Sequence, residues 1–132
     1  MEQSSANQSA GTGQTDKILE MAKKDKEVIA VVLFGSRARK EATPESDTDI
    51  CLFLENPENS SEKRIEYTLS DNLDVQAFQA LPMYIKMRIL KEGKILFCRD
   101  EKALYEIALK TVREFEDYKK FYYGYMEAMV NG

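Results

Sequence analysis

Apolar residues run almost without interruption over 28–34, stop at Gly35-Ser36, and resume at Ile50, just behind Asp47 and Asp49. Apolar runs of this length without polar alternation predict strands covered on both faces. The first reads as a strand over 28–34. The second reads as a strand over 48–54, antiparallel to the first, with a polar junction at their common end. Upstream, Ile18, Leu19 and Ala22 recur at helical spacing with Asp16 in the first turn, which predicts a helix over 15–26 packed on the sheet. Downstream, Asn56-Pro57-Glu58-Asn59-Ser60-Ser61 reads as a loop whose Ser60 or Ser61 caps a helix over 62–69, and a third strand covers 73–78. Strand, helix and strand in that order form a crossover that leaves the outer two strands parallel.

Pro82 suits the start of a further helix, with apolar spacing over 83–90 and an end at Gly93, and 95–98 makes a fourth short strand. The last element is a long helix over about 101–129. Its Leu104, Ala108, Thr111, Phe115, Tyr118, Tyr122, Tyr125 and Met129 recur at alternating steps of four and three, the seam of a helix packing along another helix. Up to Phe115 this stripe is core. From Tyr118 onward it runs past so small a core, and tyrosine is favoured where one side is buried and the other wet, so the distal end is a candidate protein interface, to a partner or a second copy. Gly124 weakens the helix locally. Taken together the pattern predicts an α/β (α+β) domain over 15–132: a small mixed sheet flanked by helices, with a long C-terminal helix. Residues 1–14, rich in Ser, Gln, Asn and Gly, read as a disordered tail.

Composition narrows the chemistry. A chain of 132 residues, 43% apolar and 32% charged, is one domain with a single core. A net charge of −4 leaves no basic footprint for long DNA or RNA. No stretch is long and apolar enough to span a bilayer, and the N-terminus lacks the regions of a signal peptide. Cys51 and Cys98 each fall inside a predicted strand and read as reduced thiols, which makes the cytoplasm the natural compartment. There is no histidine, which removes Ser-His-Asp and Cys-His nucleophile systems and most zinc sites. Acid and base work falls to carboxylates.

The polar junction carries such carboxylates. Asp47 and Asp49, two apart on a strand, share a face, and like charges so close are tolerable only with something cationic between them. Oxygen-only ligands suit Mg²⁺ or Mn²⁺. At the other end of the junction Gly35 lets backbone approach a ligand closely, and Ser36 can cap a short helix whose free N–H groups would face a phosphate. Arg37, Arg39 and Lys40 add positive charge. Each half alone reads as an ordinary turn or a solvated strand entry. Together they describe a metal-nucleotide pocket. Asp74, near the start of the third strand, would come to the same sheet edge if that strand is a parallel neighbour, whereas Asp71 reads as a turn residue. At Lys86, Arg88 and Lys94 the pattern does not separate a phosphate contact from a solvated face.

Gly35-Ser36, ten residues and Asp47-Thr48-Asp49 resemble the pattern of the nucleotidyltransferase superfamily of DNA polymerase β, and Gly-Ser-Arg-Ala-Arg directly after the strand is similar to the minimal nucleotidyltransferases (MNT). The resemblance covers roughly 28–98 and departs at Lys40, where the family commonly has glycine. It implies that Asp47, Asp49 and Asp74 hold two Mg²⁺ ions, that Gly35 and Ser36 hold the triphosphate with Arg37 and Arg39 as helpers, and that ATP is the substrate. It also implies an antitoxin role, in which AMP passes to a tyrosine of an all-helical HEPN ribonuclease toxin. Two rivals belong to other classes: a non-catalytic inhibitor that masks a partner, and a small-molecule nucleotidyltransferase of the aminoglycoside-modifying type completed by a homodimer.

Overall fold

The computed structural model describes residues 12–35, 48–69 and 73–131. Its elements, in chain order, are α1 (Thr12–Lys24), β1 (Val28–Phe34), β2 (Thr48–Leu54), a 3-10 turn (Pro57–Asn59), α2 (Ser60–Tyr67), β3 (Leu73–Ala77), a second 3-10 turn (Phe78–Ala80), α3 (Met83–Glu92), β4 (Lys94–Cys98) and α4 (Glu101–Asn131). The four strands form one mixed sheet in the order β3-β2-β1-β4. β1 is antiparallel to β2 and to β4, and β2 is parallel to β3, as the crossover through α2 requires.

β1 and β2 match their predicted bounds because a two-sided sheet leaves its central strands no solvent face, and a continuous apolar run marks such a strand from end to end. Alternate residues feed two cores. Ile50, Leu52 and Leu54 of β2 join Leu73, Val75 and Ala77 of β3 beneath α1 (Ile18, Ala22) and α2 (Tyr67). Cys51 and Phe53 face the other way with Phe78, under Ile89 of α3 and the Ala103, Leu104 and Ile107 stripe of α4. Phe53 and Phe78 stack with centroids 4.1 Å apart.

The differences from expectation lie at element ends. α1 begins at Thr12, three residues inside the stretch expected to be tail. α2 starts at Ser60 and is entered through the Pro57–Asn59 turn, so Ser60 is the first helical residue and not the cap; its hydroxyl donates to the Pro57 carbonyl. Proline's fixed φ nucleates that turn and moves the helix start forward. α3 ends at Gly93 as expected, and only glycine fits there, since a Cβ would lie 2.6 Å from both the Ile89 carbonyl oxygen and Val32 Cγ1. Cys51 is buried and Cys98 partly so, and neither is in a disulfide. From Tyr118 to Val130 the aromatic and methionine side chains of α4 are largely exposed, as expected of a helix that outruns its core. No helix among the described residues is long and apolar enough to cross a membrane.

At the sheet end away from the Gly35 junction, a polar network joins α1, α2, β1 and β4. Asp25 accepts from Lys63 Nζ (2.7 Å), from the hydroxyl of fully buried Tyr67 (2.9 Å) and from the Glu27 backbone N–H (3.1 Å). Arg99 donates to the carbonyls of Ala22, Lys23, Asp25 and Val28, closing the C-terminal end of α1. Burial pushes the Asp25 carboxyl up, but the hydrogen bonds from Lys63, Tyr67 and the Glu27 backbone outweigh it and hold the group below its usual 3.8. Burial and the bond to Asp25 push the Tyr67 phenol well above its usual value. A carboxyl depressed in the fold contributes stability that is present above its ordinary value and lost as pH falls below about 4. Urea unfolding should therefore show Tyr67→Phe less stable by about 1–2 kcal/mol at pH 7. Asp25→Asn should be less stable at pH 7 and should lose less stability than the wild type between pH 5 and pH 3.

Candidate active site

β2 lies between β1 and β3, and its first turn of ladder brings three parts of the site together. In the antiparallel pair Asp49 stands opposite Phe34, the residue before Gly35. In the parallel pair Asp49 stands opposite Asp74. Since Ile50 and Val75 point into the core beneath α1 and α2, Asp49 and Asp74 both stand on the α3 side of the sheet. Two acids from separate strands are thus in register on one face, on strands about 4.8 Å apart, and both are half-buried.

Gly35 turns the chain out of β1 with φ +79°, and a Cβ built on it would overlap Asp49 Oδ2. Only glycine allows both that backbone conformation and an Asp49 carboxylate so close to the main chain. Gln76, two residues along β3 on the same face, donates from Nε2 to Asp74 Oδ1 at 2.9 Å and so orients that carboxylate. Beside Asp49 a cavity of about 380 Å³ is lined by Phe34, Gly35 and Asp49 and, from α3, by Ile85, Arg88, Ile89 and Glu92; Asp74 and Gln76 are not among its lining residues. Arg88 and Glu92 are an i,i+4 pair with Nη2 and Oε1 3.7 Å apart.

Of the residues singled out by sequence, Gly35, Asp49 and Asp74 are brought together. Asp47, Ser36, Arg37, Arg39, Lys40 and the competitor Asp71 lie outside the described residues. Sequence reasoning did not single out Gln76, Ile85 and Glu92, and left Arg88 undecided. Ile85, Arg88, Ile89 and Glu92 fall at steps of three, one and three, a legible helix face whose partner only the packing of α3 reveals. Gln76 carries the weaker signal of a polar residue two beyond an acid on a strand.

The donor set suits a divalent cation of the magnesium type. Mg²⁺ is held by one or two carboxylates together with water and substrate phosphate oxygens, and Asp49 and Asp74 supply carboxylate oxygens, while Cys51, the next residue on that face of β2, is fully buried and its thiol is pushed well above its ordinary value by burial. No group of three or more His, Cys, Asp or Glu that could hold a metal is present among the described residues, which do not include Asp47. Gly35→Ala should lower stability by about 1–2 kcal/mol in urea unfolding, because a side chain at positive φ is strained. It should also displace the Asp49 carboxylate, a change readable in the crystal structure of the variant.

Comparison with known proteins agrees with this architecture. Residues 16–102 match the family model described as polymerase beta, nucleotidyltransferase. A Methanocaldococcus jannaschii protein, MJ1547, proposed to be a protein adenylyltransferase, is 37% identical over 93 residues, covering 70% of this chain and 74% of the relative. A toxin–antitoxin crystallised with AMP-PNP superposes with a TM-score of 0.68 over 91% of this chain and 98% of the matched chain, at 16% identity. A chain from the complex of tri-AMPylated Shewanella oneidensis HEPN toxin with MNT antitoxin gives 0.61 over 90% and 98%, at 14% identity. The fold is shared with these structures, and the chain belongs to the polymerase β-type nucleotidyltransferase family.

Proposed function

We propose that this nucleotidyltransferase moves AMP from ATP to a hydroxyl of a protein, a tyrosine of an HEPN-type toxin, and acts as its antitoxin. The observation that carries the reading is Asp49 opposite Asp74 on one sheet face, with Gly35 and a cavity against Asp49. The M. jannaschii relative proposed to be a protein adenylyltransferase, and the AMPylated toxin in a complex of the same fold, support the choice of reaction and acceptor.

In this reading Asp47, Asp49 and Asp74 hold Mg²⁺, or Mn²⁺, and the two ions of the family fit carboxylates from neighbouring strands. When bound, the metal offsets the charge of the transferred phosphoryl group and makes the acceptor hydroxyl more acidic. Ser36 and the backbone after Gly35 hold the β- and γ-phosphates, with Arg37 and Arg39 adding charge. Asp74, oriented by Gln76, accepts the proton of the hydroxyl. The acceptor oxygen bonds to the α-phosphorus, the bond to the bridging oxygen breaks, and pyrophosphate leaves. The exposed end of α4, with Tyr118, Tyr122, Tyr125 and Met129, presents apolar and phenolic surface to a helical partner.

Incubation of the chain with ATP, Mg²⁺ and an HEPN partner should add the mass of AMP to a partner tyrosine. Asp49→Asn and Asp74→Asn should each lower that rate by about two orders of magnitude or more while the fold survives, since removing one of several like charges relieves repulsion. A partner left unmodified yet still neutralised by Asp49→Asn would point to steric masking. Tyr122→Ala with Tyr125→Ala should weaken partner binding about tenfold or more without lowering the melting temperature.

A further inference from the structure

We propose that Arg88 recognises the polyphosphate of the nucleoside triphosphate, and that Glu92 holds its guanidinium in the cavity until the nucleotide replaces it. This rests on the nucleotidyltransferase reading above and adds a residue to its site. Among the described residues lining the cavity, Arg88 is the only cation, set against the carboxylates of Asp49 and Glu92. A triphosphate brings several further negative charges, and a guanidinium fork matches phosphate oxygens two at a time. Phe34, Ile85 and Ile89 form the apolar part of the lining.

The neighbouring cations stand elsewhere. Lys86 lies 5.8 Å from the centre of the Phe78 ring and lines a different groove, against α4. Lys94 is exposed on the edge strand β4, opposite Leu33 of β1. The sequence pattern could not rank the three; the packing of α3 separates them.

The Arg88–Glu92 pair is suited to exchange. At 3.7 Å it is longer than the roughly 2.7–2.9 Å of a charge-assisted hydrogen bond, and the Arg88 side chain is 60% exposed. The order, base before acid at i,i+4, is the less favourable one on a helix. Glu92 is also the last residue of α3, where the partial negative charge of the helix end disfavours an acid. A phosphate competing for Arg88 therefore displaces a weak partner.

Titration calorimetry of the full chain with ATP and with AMP, both in excess Mg²⁺ and at two salt concentrations, tests this. Arg88→Ala should weaken ATP about ten- to hundredfold and AMP less than about twofold. Arg88→Lys should restore only part of the loss, because an ammonium is a point charge. Glu92→Gln should tighten ATP by about two- to fivefold, most at low salt. Lys86→Ala should leave both affinities unchanged, and equal melting temperatures would show that the variants fold. If Arg88→Ala binds ATP like the wild type while Asp49→Asn loses the Mg²⁺-dependent part of ATP binding, Arg88 is a surface residue and the nucleotidyltransferase reading stands. If Glu92→Gln weakens ATP binding, the exchange is wrong. A wild-type chain that binds no ATP overturns both readings.

Discussion

The hydrogen-bond ladders of β2 decide what this protein can do. A strand has one residue opposite each neighbour and two faces, so a shift of one residue in the β2–β3 pairing would take Asp74 out of step with Asp49 and turn it into the core beneath α1 and α2. That shift is opposed by the burial of Leu73, Val75 and Ala77 on one side. The same apolar residues that hold the sheet together hold the two acids in register, and the β1 ladder places Gly35 against them. Like charges are kept close by hydrophobic burial that neither of them contributes.

The two ends of the sheet are divided in their chemistry. At one end Asp25, Lys63, Tyr67 and Arg99 satisfy one another and the backbone at the end of α1, with opposite charges paired and hydrogen bonds completed. At the other, acids of one sign collect about a cavity whose described lining holds one arginine. The first arrangement is what buried polar groups require in a stable structure.

The helices on the α3 side serve different purposes. α3 contributes Ile89 to the core and, by the same helix face, Ile85, Arg88 and Glu92 to the cavity. α4 packs on the sheet through Ala103, Leu104 and Ile107 and then continues with its aromatic side chains exposed. The polymerase β-type match spans residues 16–102, so it covers the sheet and the helices up to the start of α4, and the exposed aromatic length of α4 lies beyond it.

The chain by itself determined the strands, the antiparallel and parallel pairings, and Gly35, Asp49 and Asp74 as companions, since apolar runs without alternation, a short strand-helix-strand unit and the Gly-Ser and Asp-x-Asp spacing are local properties. It placed the end of core packing on α4 at Phe115, a turn later than the structure does: Ala103, Leu104 and Ile107 join the core and Thr111 is the last buried residue of the helix. Its expectation of Ser60 or Ser61 as the cap of α2 gave way to the Pro57 turn, and of Lys86, Arg88 and Lys94, which it could not rank, only Arg88 lines the cavity beside Asp49. Tertiary structure alone showed Gln76 holding Asp74, the Arg88–Glu92 pair beside the cavity, and the network around Asp25. A helix face and a strand face can be read from periodicity, but what each face meets depends on contacts between residues far apart in the chain, and those exist only once the sheet has brought them together.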